Sequence, residues 1–132
     1  MSDTFKQKQY SIIKGINASQ EGKYSVAIGH LLNAYALDSK DTFTLRELAL
    51  NYGKSGDVKN AERFYLELLA ITPNDSTATY NLGTLYYNQK KYKESLNVLE
   101  RISIENVTND IRGLVAYNYY SLEEYEKAYA KL

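Results

Sequence analysis

Apolar residues recur along this chain at intervals of three and four, and the pattern breaks and restarts at regular distances. Between 42 and 75 the first run sets Leu45, Leu48, Ala49 and Tyr52 on one helical face. It stops at "KSGD", where Gly56 suits the left-handed conformation that ends a helix and Asp57 suits the cap of the next. The second run carries Val58, Ala61, Phe64, Tyr65, Leu68 and Leu69. Pro73 blocks its continuation, and "NDS" offers capping side chains to whatever follows. The stretch therefore predicts two helices joined by a tight turn.

Stepping by 34 residues reproduces the pattern. Leu82-Gly83 falls on Leu48-Ala49, Tyr86 on Tyr52, Ser95 on Ala61 and Leu99 on Tyr65. A second step back takes Gly83 to Gly15, Ser95 to Ala27 and Leu99 to Leu31. Forward, the best step is 33: Gly83 goes to Ala116, Tyr92 to Tyr125, Ser95 to Ala128 and Leu99 to Leu132, one residue being lost near Val107. The predicted units are 8–41, 42–75, 76–108 and 109–132, the last incomplete, all within a single domain spanning 1–132. Gly15, Ala49, Gly83 and Ala116 recur in the first half of each unit, and Ala27, Ala61, Ser95 and Ala128 in the second. The first unit turns at Gly22, in "EGKY"; the third has Lys90 at that place and predicts a strained turn; the fourth offers a capping box from Ser121 to Glu124.

Leu82-Gly83-Thr84-Leu85-Tyr86, followed by Tyr92, the small Ser95 and Leu99, with Pro73 closing the unit before, resembles the tetratricopeptide repeat family. The third unit matches best, the second closely, and the first and fourth in degenerate form. The family's frequent tryptophan is absent, with Thr79 and Leu45 in its place. The resemblance covers about residues 8 to 132. It implies an all-α fold, a right-handed α-solenoid of about three and a half to four stacked helix hairpins with a concave groove.

Gly83 then has a predicted purpose. Glycine inside a helix costs about 1 kcal/mol relative to alanine, which a close helix crossing opposite Ser95 would offset. Thr79, Leu82, Gly83 and Tyr86 share one arc of the helix and face the core. The next arc round holds Tyr80, Thr84, Asn88 and Thr77, with Tyr87 at its edge. In a hairpin stack this arc faces the groove. The same projection gives Gln9, Ile12, Ile16 and Gln20 in the first unit, Phe43, Arg46, Leu50 and Lys54 in the second, and Gly113, Tyr117 and Tyr120 in the fourth. Asn81 and Asn88 edge the floor beside Arg46 and Lys54. Such a lining suits a peptide segment of a protein partner: rings and aliphatics supply burial and amides hold backbone groups. The chain is thus expected to be a non-catalytic adaptor, with the partner unidentified.

Tyr125, Tyr129 and Leu132 form an apolar stripe at the far end, where repeat stacks normally carry a polar cap. It predicts either further repeats beyond Leu132 or docking on another copy. The alternative function is therefore a scaffold that self-assembles through its terminal faces.

Composition narrows the remaining chemistry. The 132 residues carry 16 basic and 16 acidic side chains, for zero net charge. That gives no general attraction to nucleic acid or anionic membrane, and the run Lys90, Lys91, Lys93 reads as a solvated turn. With no cysteine there is no disulfide, thiolate ligand or cysteine nucleophile. His30 is the lone histidine and has no companion for a metal site. No phosphate-binding glycine loop is present, and Glu123-Glu124 reads as a pair of exposed turn carboxylates. No metal, cofactor or enzymatic activity is expected. The tetratricopeptide clamp for acidic chaperone tails is broken, because Ile12, Ile16 and Leu50 stand where polar groups are needed. "MSDTFKQKQY" lacks an apolar signal core, and no run approaches the roughly 18 apolar residues of a membrane span, so a cytoplasmic protein is expected. Fourteen tyrosines without tryptophan suit a thin, layered fold with much half-buried surface.

Overall fold

Helices begin and end where local chemistry instructs them. The computed structural model describes residues 2–132, in which eight α-helices follow one another without a strand. Ser2 opens α1 (Asp3–Gln20) by accepting a hydrogen bond from the Phe5 amide. Then come α2 (Tyr24–Leu37), α3 (Thr42–Ser55), α4 (Val58–Ile71), α5 (Ser76–Asn88), α6 (Tyr92–Leu99), α7 (Asn109–Ser121) and α8 (Tyr125–Ala130). Asp57, Asp75 and Thr108 each accept an amide hydrogen bond at the start of α4, α5 and α7. Pro73 follows the end of α4, as its lack of an N–H requires.

The four helix-pair turns pass through a left-handed residue at the same register: Gly22 (φ 76°), Gly56 (φ 88°), Lys90 (φ 63°) and Glu123 (φ 64°). Glycine takes this conformation freely, whereas a side chain costs about 1–2 kcal/mol there. The strain expected at Lys90 is therefore present, and Glu123 shares it. The Ser121–Glu124 capping box does not form. Ser121 closes α7, and Glu124 is itself the residue capping α8, without a side-chain bond to the helix backbone. Its carboxylate instead takes a hydrogen bond from Lys127 Nζ at 3.3 Å.

The chain divides into two compact units, one ending at Pro73 and one beginning at Asn74. In the first, α2 packs on α1 and α3, and α4 packs on α3. Its core gathers Ala27, Leu31, Leu45, Leu48, Ala49, Ala61, Phe64 and Leu68, all buried. Phe64 is fixed by two rings, Tyr35 edge-on at 5.2 Å and Tyr52 stacked at 5.6 Å. The Tyr35 hydroxyl donates to Glu67 Oε1 at 2.6 Å, and Arg63 Nε donates to the other carboxylate oxygen at 3.0 Å. The bond to Glu67, and then burial, raise the Tyr35 pKa, so the phenol stays a donor.

In the second unit α6 packs on α5 and α7, and α8 on α7. Leu96 and Leu99 close on Ile111, Leu114 and Val115. Gly83 lies where α5 meets α6. A Cβ on Gly83 would come within 2.7 Å of Leu99 Cδ2 and 2.8 Å of its Cγ. Gly15 repeats the arrangement, with Leu31 Cγ at 2.8 Å. The missing side chain makes room for a leucine of the partner helix, a more specific need than a close backbone crossing. Ser95 does lie opposite Gly83, and its hydroxyl donates to the Gly83 carbonyl at 2.7 Å. Asn118 Nδ2 donates in turn to Ser95 Oγ at 2.9 Å, so one buried polar chain ties α7 to α6 and α6 to α5. All eight small positions of the repeat are buried.

Candidate functional site

Tyrosines dominate one face of the second unit, and their positions follow from two stretches with the same tyrosine spacing. "YYNQKKY" (86–92) and "YYSLEEY" (119–125) each end a helix with two tyrosines, cross the turn, and start the next helix with a third. Tyr86 faces inward and is buried. Tyr87 is half-buried against the leucine–isoleucine cluster. Its ring lies 5.5 Å from Tyr92 across the turn and 6.5 Å from Tyr117 of α7. One repeat later, Tyr120 meets Tyr125 at 5.3 Å, edge-on. Tyr80 also packs on the cluster, while Tyr117 and Tyr120 stand well exposed. The result is a shelf of rings in which Tyr80 and Tyr87 pack on the core and the others stand more exposed beside them.

The polar residues expected beside this shelf divide in role. Thr84 commits its hydroxyl to its own helix, donating to the Tyr80 carbonyl at 3.0 Å. Asn81 is half-buried and Asn88 exposed. Tyr129 and Leu132 are exposed, Tyr129 in α8 and Leu132 just past it. Tyr119 serves the fold instead. Its hydroxyl donates to Glu100 Oε1 at 2.8 Å, which joins α7 to the end of α6 and raises the phenol pKa.

In the first unit, Ile12 is 6% exposed and belongs to the core. This corrects its assignment to the groove lining: it lies where the two arcs of α1 meet, and burial draws the isoleucine inward. Ile16, Arg46 and Leu50 are half-buried, and Lys54 is exposed with its ammonium 5.7 Å from the Tyr24 ring. These residues give the first unit an aliphatic and cationic surface, where the second unit has rings.

Two features escape the sequence pattern. Tyr92 and Tyr125 belong to the shelf through their ring contacts, and the signal for them is the five-residue step from Tyr87 and from Tyr120. The other is a cleft of about 220 Å³ beside the segment joining α6 to α7, walled by Leu99, Ile102, Ile104, Val107, Ile111 and Val115. Among the described residues no group of three or more His, Cys, Asp or Glu side chains is placed to hold a metal, and no helix is long and apolar enough to cross a membrane.

Known proteins share this geometry. Residues 54–132, more than half of the chain, match the family model described as "Anaphase-promoting complex, cyclosome, subunit 3". Over 90 residues the chain is 29% identical to the Photosystem I assembly protein Ycf3 of Acaryochloris marina (strain MBIC 11017), a match covering 65% of this chain and 54% of that protein. The matched part is thus about half the length of that relative. Among solved structures, MamA 41-end from Desulfovibrio magneticus RS-1 superposes with a TM-score of 0.89 at 21% identity, over 99% of this chain and 73% of the other. The Sgt2 TPR domain from Aspergillus fumigatus superposes with a TM-score of 0.76 at 20% identity, over 91% and 82%. The fold is the all-α solenoid of stacked antiparallel helix hairpins that these structures share.

Proposed function

For a chain that belongs to the tetratricopeptide repeat family, a fold that in general serves as a non-catalytic protein–protein interaction module, we propose an adaptor that holds a peptide segment of a partner protein on its tyrosine shelf. The observation carrying this reading is the ring set Tyr80, Tyr87, Tyr92 and Tyr117, in which Tyr80 and Tyr87 pack on the apolar cluster and Tyr87 meets both Tyr92 and Tyr117. The two packed rings have little side-chain freedom left to lose on binding. Tyrosine combines contact area with a hydroxyl donor and is enriched where protein partners are gripped. Asn81 and Asn88 supply amides for the peptide backbone, and Arg46 and Lys54 offer the first unit's own cationic contacts.

The reading is tested by selecting peptides from a random display library on the immobilised chain. Selected peptides are expected to lose at least tenfold in affinity on Tyr117→Ser/Tyr120→Ser, both exposed and therefore replaceable without loss of fold. Isotope-edited NMR should place the peptide against α5 and α7. Undiminished binding to the double variant, or contacts confined to α2 and α4, would exclude the shelf as the binding surface.

A further inference from the structure

The outer positions of the second helix of a hairpin reach solvent even where further hairpins precede and follow it in the chain. On α4 they hold Lys59, Arg63 and Glu67, and on α6 Lys93 and Glu94. The matching positions of α2 are Ser25, Val26, Gly29 and Asn33, with Leu32 and Ala36 beside them, and all six are exposed. Yet α2 carries no Asp, Glu, Lys or Arg in its 14 residues. Val26 is 51% exposed and Leu32 37%. The exposure of this face belongs to the repeat, not to the limits of the sequence, and its lack of charge belongs to α2.

Gly29 sits at the centre of this face. Gly15 and Gly83 make room for a leucine, whereas a Cβ on Gly29 would meet nothing within 4 Å. Glycine weakens a helix relative to alanine, and no contact within the chain offsets that loss here. The chemistry on either side of Gly29 is symmetric. Three residues away stand Val26 and Leu32, both apolar; four residues away stand Ser25 and Asn33, both small and polar; seven residues away stand Gly22 and Ala36. Among the described residues no hydrogen bond engages the Ser25 hydroxyl or the Asn33 amide. A helix turned end for end about Gly29 therefore meets its own pattern, Val26 falling on Leu32 and Ser25 on Asn33.

We propose that α2 pairs with α2 of a second copy of this chain, antiparallel, about a two-fold axis through Gly29. The facing glycines let the backbones approach closely. Val26 of each copy covers Leu32 of the other, and Ser25 and Asn33 hydrogen-bond across the contact. Every contact is returned by the symmetry, so association closes at the dimer. No charge is desolvated in forming it. A pair of helices of 14 residues buries less than the roughly 800 Å² per partner of a standard interface, and the expected dissociation constant is about 0.1 mM. None of these residues belongs to the tyrosine shelf, so dimerisation and peptide capture are separable.

Sedimentation equilibrium tests this. Wild type should pass from monomer to dimer and stop there. Gly29→Arg and Val26→Glu repeat at α2 the Arg63 and Glu94 that later helices carry at the same register. Each should weaken the dimer at least tenfold while helical circular dichroism stays at the wild-type level. If either fails to fold, Leu32→Glu replaces it. The chain has no cysteine, so disulfide trapping reads the register directly: Ser25→Cys mixed with Asn33→Cys should cross-link at least tenfold faster than either variant alone. A wild type that stays monomeric to millimolar concentration overturns the proposal, in favour of a different partner for this face. So does a dimer that survives both charged variants, or Ser25→Cys alone cross-linking as fast as the mixture.

Discussion

At one register position α1 carries Gly15 and α3 carries Ala49; the helices that return against them answer with Leu31 and Tyr65. The glycine faces a leucine whose branch point leaves no room for even a methyl group. The alanine is tolerated where the answering side chain is a tyrosine, and both Ala49 and Tyr65 are buried. The second unit repeats the first choice with Gly83 and Leu99. Glycine in these helices is therefore half of a pair, and its meaning depends on a residue of the returning helix.

The most severe way to disturb this pairing is to remove the leucine. Leu99→Ala should cost about 2–5 kcal/mol, as buried leucines do, read from chemical denaturation. Gly83→Ala should cost about 1–3 kcal/mol through crowding. In a Leu99→Ala background the sign should reverse, and Gly83→Ala should gain up to about 1 kcal/mol from helix propensity. A Gly83→Ala that remained harmful without Leu99 would break the comparison. Ala49→Gly, by contrast, should lose about 1 kcal/mol with no compensation.

A smaller effect separates the turns. Lys90→Gly and Glu123→Gly should each raise stability by about 0.5–1 kcal/mol, the relief of left-handed strain less the entropy that glycine adds to the unfolded chain. Gly22→Ala and Gly56→Ala should lower it. Paired melts of the four variants settle the ordering.

The smallest effect lies at the edge of the first unit. Lys8 Nζ donates to Asp38 Oδ2 at 3.1 Å, and this bond, with the Lys40 amide, holds the Asp38 pKa below the usual aspartate value. A lowered folded pKa means the contribution is complete above the ordinary aspartate range of about 4 and fades as pH falls through the folded value. Wild type and Asp38→Asn should accordingly differ slightly in melting temperature at neutral pH and converge in acid.

Much of this fold is legible in the sequence because its determinants are local. Gly22, Gly56, Asp57 and Pro73 set boundaries by their own backbone chemistry, and the apolar period of α3 and α4 needs no tertiary information. The burial of Tyr86 follows from its place on the Leu82–Gly83 arc. What escapes depends on partners that the sequence does not place side by side. Ile12 sits at the border of two arcs, and only packing decides that it turns inward. Helix propensity and the small Ser95 point to the backbone opposite Gly83, whereas Leu99, a full turn beyond Ser95, fills the space. Ser121 and Glu124 have capping-box spacing, but the register of the repeat puts the helix start at Glu124. The tyrosine shelf is half visible: Tyr80, Tyr87, Tyr117 and Tyr120 come from one helical projection, while Tyr92 and Tyr125 join across turns that a projection cannot bridge.

After Leu99 the chain abandons the fourteen-residue length of α2 and α4 and reaches α7 through residues 100–108, with a single 3-10 turn at Ile104–Asn106 and Ile104 almost bare. Isolated turns hold the amides of Glu100, Arg101, Ile102, Asn106 and Val107, but no continuous ladder runs through the stretch, so it should exchange early with solvent and offer a protease an early cut. Nicking there would leave α7 and α8 held to α5 and α6 by side chains alone, a latent point of disassembly set by the early end of one helix.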